Sequence, residues 1–142
     1  MNVKTILTGS TLYAMLRPAN TAALARASRR AVLPRRRQPA ALEANLDGAY
    51  RWLCAAQDAS GDGGVAGCYN LVKGWGGSYP ETTGYIIPTI LRYAAARQVS
   101  EAFARARRMA DWEVDVQLPD GAVRSGMIGL KTAPAVFNTG QV

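Results

Sequence analysis

The chain has 142 residues, of which 49% are hydrophobic and 19% charged, and its formal net charge is +7. That length supports one modest domain with its own core, and no apolar run approaches the roughly 20 residues that a membrane-crossing helix requires. The chain contains no histidine, which excludes zinc sites with histidine ligands and histidine-based triads within it.

The charge is unevenly placed. Residues 1–42 hold eight basic residues (Lys4, Arg17, Arg26, Arg29, Arg30, Arg35, Arg36 and Arg37) and no acid, whereas residues 43–142 hold nine basic and ten acidic residues. The sequence therefore divides into a basic, Arg/Ala-rich leader over residues 1–40 and a nearly neutral domain over 41–142. A nucleic-acid-binding domain carries its basic stripe on the fold itself, so no nucleic-acid partner is expected. Three readings of the leader stay open: a solvated, partly helical extension, a targeting segment, and an anchor to an anionic surface. Pro34 and Pro39 end any helix within it.

The first helix of the domain is expected over about Ala41 to Asp58. Leu42, Leu46, Ala49, Leu53 and Ala56 recur there at spacings of three and four, the period of a helix with one apolar side. Ser60-Gly61-Asp62-Gly63-Gly64 stops it, because glycine accepts the positive φ found just past a helix end. Residues 65–80 then form a long loop rich in glycine but carrying Tyr69, Trp75 and Tyr79. Flexible linkers lack such aromatics, so the loop is expected to be ordered. A second helix follows near Thr82 to Gln98, with Ile86, Ile87, Ile90, Leu91 and Ala94 as its apolar side and Pro88 near its first turns or at a kink. Ser100 is positioned to cap a third helix. Phe103, Ala106, Ala110 and Val114 read as its buried side, and Arg105, Arg107 and Arg108 as its wet side. Leu118-Pro119-Asp120-Gly121 ends it. A second glycine-rich loop leads to Phe137-Asn138-Thr139-Gly140, which reads as the start of a fourth helix.

An internal repeat underlies this order. Trp52 and Trp112 are 60 residues apart, as are Gln57 and Gln117; Asp62-Gly63 and Asp120-Gly121 are 58 apart; Thr83-Gly84 and Thr139-Gly140 are 56 apart. Each unit is one helix, one long loop and one return helix. Such a unit cannot bury both faces alone, so units stack. The fold expected is all-α, a partial (α/α) toroid of helical hairpins, truncated before ring closure. An open edge with exposed apolar surface should remain, and with it a route to self-association.

Trp52-Leu53, Ala56-Gln57-Asp58 and Asp62-Gly63-Gly64-Val65 resemble the Gln…Asp-Gly-Gly signature of α/α toroids. Those include squalene-cyclase and prenyltransferase-like repeats and six-hairpin glycosidase-like enzymes. Gly74-Trp75 with Ser78-Tyr79-Pro80-Glu81-Thr82-Thr83-Gly84-Tyr85-Ile86-Ile87-Pro88-Thr89 is a more specific match. With Ala110-Asp111-Trp112-Glu113 and Val136–Val142, it resembles an uncharacterised bacterial toroid family associated with polysaccharide biosynthesis. The resemblance covers about residues 42–142. In that family further hairpins follow, so the resemblance implies a shortened toroid.

Loops at one end of such a bundle line its concave face, where ligands bind. Tyr69, Trp75, Tyr79 and Tyr85 are candidates for stacking on sugar rings, or for simply packing the loop against the helix ends. Asn138 is a candidate contact in the second unit, or a cap for the fourth helix. Glu81 is a candidate general acid or base, or a first-turn acid favoured by the helix dipole. Trp52, Gln57, Asp62, Trp112, Gln117 and Asp120 recur and so read as structural, because a catalytic residue is needed once. No metal or cofactor is expected. Cys54 and Cys68 fit neither a paired metal knuckle nor a CxxC motif; they read as reduced thiols of a cytoplasmic protein. Three functions stay open: a carbohydrate-active toroid fragment linked to polysaccharide metabolism, a non-catalytic glycan- or protein-binding scaffold, and a truncated product with no independent function.

Overall fold

The computed structural model describes residues 41–71 and 73–142, and in the leader residues 18, 21, 22, 25, 26, 28 and 29, which are helical. The other leader expectations fall outside the described residues. Among the described residues the domain is mostly helical: α1 (Leu42–Ser60), a two-stranded sheet of β1 (Tyr69–Asn70) and β2 (Gly74–Trp75), α2 (Pro80–Arg97), α3 (Ser100–Asp115) and the single turn α4 (Val136–Thr139). The strands pair antiparallel, Tyr69 opposite Trp75 and Asn70 opposite Gly74. No described helix is long and apolar enough to cross a membrane.

The elements begin and end for local reasons. Gly61, at φ 69°, closes α1 in the left-handed conformation. Pro80 starts α2, where a missing N–H costs nothing. Pro88 does not break α2; it withholds only the N–H that would bond the Gly84 carbonyl. Ser100 is not a cap, since Val99 precedes α3 in extended conformation and no side chain bonds the exposed N–H groups. Asn138 is not a cap either: it lies inside α4, behind Ala135, and is buried.

Antiparallel α2 and α3 are joined by a two-residue turn in which Gln98 takes a left-handed φ of 54°. Their seam is lined by small residues, Ala94, Ala102 and Ala106, all buried with Ile90 and Met109, so the two backbones approach closely. Helix α1 joins through longer side chains. Tyr50 stacks on Tyr93 at 4.4 Å, Tyr93 donates to Asp47 at 3.0 Å, and Arg97 pairs with Glu43. Arg105 reaches both Asp58 oxygens, at 2.7 and 3.1 Å. This fork holds the Asp58 carboxyl below the usual carboxylate range, and Arg105 is accordingly half-buried, not the wet residue its spacing implied.

The buried side of α3 is Ala102, Ala106, Met109, Trp112 and Glu113. Phe103 and Val114, which spacing had placed inside, are exposed, as are Ala110 and, on α1, Leu42, Leu46 and Ala49. The reason is that α3 has two apolar sides about one residue apart in rotation. Packing on α2 takes the side with alanines and Met109. Phe103 and Leu91 border an open apolar groove beside the α2–α3 turn; at the opposite end of α2, Tyr85 and Phe137 meet at 6.4 Å, both exposed.

The hydrogen bonds that frame each loop recur in both units. The Thr83 hydroxyl accepts from the Val65 N–H at 3.0 Å and donates to the Tyr79 carbonyl at 2.9 Å. The Thr139 hydroxyl accepts from the Val123 N–H at 2.9 Å and donates to the Ala135 carbonyl at 3.0 Å. The backbone reciprocates, Tyr79 N–H to Val65 and Ala135 N–H to Val123. Lone bridges join Ala66 to Ser78 and Arg124 to Pro134. Asp62 and Asp120 each accept the N–H two residues on, from Gly64 and Ala122. Thr83→Val leaves a buried N–H unpaired and is expected to cost about 1–3 kcal/mol in urea denaturation. A change within about 0.5 kcal/mol, the ordinary range of surface substitutions, would remove this threonine from the frame.

Candidate functional site

The long loops gather at one end of the helices, because α1 and α3 both run antiparallel to α2 and their C-termini lie beside its N-terminus; the turn α4 follows loop two there. Loop one is tied to loop two by the Ile128 N–H donating to the Ser78 carbonyl at 2.8 Å. Gly67 and Gly76 make this fit: a Cβ on Gly67 would lie 2.9 Å from Tyr79 and one on Gly76 2.8 Å from Cys68, and Met127 of loop two lies against both glycine positions. Asp62 adds a 2.7 Å bond from the Ser78 hydroxyl.

The candidate residues fall into three groups. Tyr69 and Trp75 face each other on the hairpin, centroids 5.0 Å apart in edge-on geometry. Trp52 of α1 completes them, 4.6 Å from Trp75 and 5.7 Å from Tyr69. Trp52 is 53% exposed, so the trio is an aromatic platform open to solvent. Its repeat mate Trp112 is instead buried, against the Gly63-Gly64 turn. The second group is polar. The Tyr79 hydroxyl donates to Glu81 at 2.6 Å. That bond pushes the Tyr79 hydroxyl above the usual phenol range, while the Asn138 side chain works the other way. Tyr85, the last candidate, stands with Phe137.

The repeated glutamines also separate. Gln57 is buried and donates to the carbonyls of Gly63 at 3.0 Å and Arg105 at 3.2 Å, tying the first turn to α3. Gln117 is exposed. Beside Gln57 a polar cleft of about 440 Å³ lies between the Gly61–Gly63 turn and Arg108, Asp111 and Asp115.

Glu113, to which sequence reading gave no role, is the most unusual side chain at this end. It is 3% exposed, and neither carboxylate oxygen has a hydrogen-bond partner. Burial pushes its carboxyl up to about 8; the Gly84 N–H faces it and opposes the shift, without reaching hydrogen-bond geometry. The signal that could have found it is the repeat. Sixty residues earlier stands Leu53, so a carboxylate occupies a position the first unit fills with an apolar residue. Among the described residues no three His, Cys, Asp or Glu side chains converge as a metal site, and both cysteines are free. No family model, curated protein or solved structure matches this chain.

Proposed function

We propose that this chain forms the first hairpins of a carbohydrate-facing (α/α) toroid linked to polysaccharide metabolism, and that the Trp52–Tyr69–Trp75 platform stacks on a sugar ring. The observation that carries this reading is the solvent-open contact of three aromatic rings on a helix and a hairpin that hold them in place. Sugar rings present apolar C–H faces, and rigid aromatic surfaces meet them at small entropic cost. The resemblance of residues 74–89 to a toroid family associated with polysaccharide biosynthesis supports the same reading.

Within it, the Tyr79–Glu81 bond gives Glu81 a structural role, its carboxylate already accepting from the Tyr79 hydroxyl, and favours a non-catalytic, glycan-binding chain. Titration of the chain with soluble neutral polysaccharides, followed by tryptophan fluorescence, tests both points. Binding is expected, with Trp75→Ala weakening it about tenfold or more, in keeping with an aromatic anchor, and Glu81→Gln leaving it intact. Binding that survives Trp75→Ala, or no response to any glycan, would sink the platform reading. Loss of binding in Glu81→Gln would make Glu81 a direct sugar contact.

A further inference from the structure

Two buried side chains at the loop end of the bundle keep polar atoms without a protein partner. Glu113 is 3% exposed with both oxygens unpaired; Asn138 is 4% exposed, its Nδ2 facing the Tyr79 hydroxyl without reaching hydrogen-bond geometry. Leaving such atoms unpaired is costly, and natural structures retain few of them. Backbone contacts connect their two segments through Gly84. Glu113 faces Gly84. The Gln141 backbone sits directly on Gly84, where any Cβ would overlap the Gln141 carbonyl, and the Gln141 N–H donates to the Asn138 carbonyl at 3.1 Å. Pro88 supplies no N–H to the Gly84 carbonyl, so a backbone acceptor is left at the same place.

The repeat shows that the frame does not require these groups. The first unit places Leu53 where Glu113 stands and Thr82 where Asn138 stands, and it makes the same Thr–Val bonds without them. We propose that Glu113 and Asn138 form a buried polar subsite for the hydroxyl groups of a neutral saccharide; this rests on the glycan reading above. The chemistry selects that class. No ion pair includes Glu113 among the described residues, so nothing there balances an anionic ligand. A carboxyl that keeps its proton offers O–H and C=O together, and the amide adds N–H donors. Paired hydroxyls, each both donor and acceptor, complement that set.

Difference infrared spectra at pH 7 test it, with cellobiose, maltose and lactose as probes and tryptophan fluorescence recorded in parallel. The wild-type chain is expected to show a protonated-carboxyl band that Glu113→Gln lacks. A disaccharide that changes the fluorescence should shift this band, and Asn138→Ala should weaken that disaccharide about tenfold, the value of a lost hydrogen bond in a buried site. A fluorescence response with an unmoved band would overturn the subsite and leave the platform standing. That is also the result if the carboxyl has closed onto the Gly84 carbonyl or an internal water. A response in neither signal would overturn both readings, and an absent band would overturn the subsite without any ligand.

Discussion

Trp112→Ala is expected to destabilise the domain by about 3–5 kcal/mol, as large-to-small changes of buried aromatics do, while the same change at its repeat mate Trp52 costs far less. Trp112 is the piece that joins the two units. Its ring lies flat against the backbone of Gly63 and Gly64, so close that a Cβ on Gly64 would stand 2.7 Å from three ring carbons. Gln57 brackets the same turn, holding the Gly63 carbonyl and the α3 backbone together. Removing the indole opens a cavity between units and frees the turn. Trp52 is half-exposed and loses only ring contacts with Tyr69 and Trp75, worth about 0.5–1.5 kcal/mol each. Urea denaturation of both variants by circular dichroism decides the matter, and equal losses would contradict the asymmetry. Gly64→Ala provides an independent check, since it forces the ring away while leaving its area intact. It should destabilise by about 1–3 kcal/mol, the usual cost of overpacking.

The second large effect is a pH dependence. The folded chain holds the Glu113 proton up to about pH 8, against an ordinary value of 4.5. Because the folded value is the higher one, the contribution is fully present below pH 4.5, is lost as pH rises toward 8, and stays lost above it. At about 1.4 kcal/mol for each unit of difference, the loss is on the order of 3–5 kcal/mol. Glu113→Gln removes the ionisation, and Glu113→Leu restores the residue of the first unit. Both are expected to match wild type near pH 4.5 and to exceed it at pH 8 in urea midpoints. Asp58 titrates identically in all three proteins, so the difference between them isolates Glu113. Parallel pH curves for wild type and Glu113→Gln would show that the carboxyl ionises normally.

How much of this was legible in the sequence depended on which force set each feature. Helix positions were legible because glycines and prolines mark their ends, and Gly61 and Pro80 act locally. The repeat was legible because it rests on residues whose partners lie inside the same unit, such as Thr83 with Val65. The inward side of α3 was not. Phe103 and Val114 and the alanine side both carry helical period, and choosing between them needs knowledge of where α2 lies. Ser100 and Asn138 were read as caps from identity alone, but tertiary packing set the helix start at Val99 and pulled Asn138 inside. In the candidate site, Tyr69 and Trp75 share a hairpin and were legible as neighbours. Trp52 was masked by its own recurrence, which marked it as structural although its surroundings differ from those of Trp112. Glu113 was hidden for the opposite reason: a single acid in an amphipathic helix reads as solvated until its depth is known.

The contrast between the α2–α3 seam and the attachment of α1 sets an order of assembly. Helices α2 and α3 are neighbours along the chain, joined by two residues and closed by alanines, so little loop entropy opposes their pairing. Helix α1 must instead be brought back across a loop of about twenty residues, and it is held by a tyrosine stack, ion pairs and Gln57. Apart from buried Ala56 and Gln57 these contacts are partly exposed, and such contacts open more readily than a closed seam. Helix α1 is therefore expected to detach before the α2–α3 pair opens and to return after it has formed. Because Trp52 travels with it, each such opening dismantles the aromatic platform while the α2–α3 hairpin stays folded.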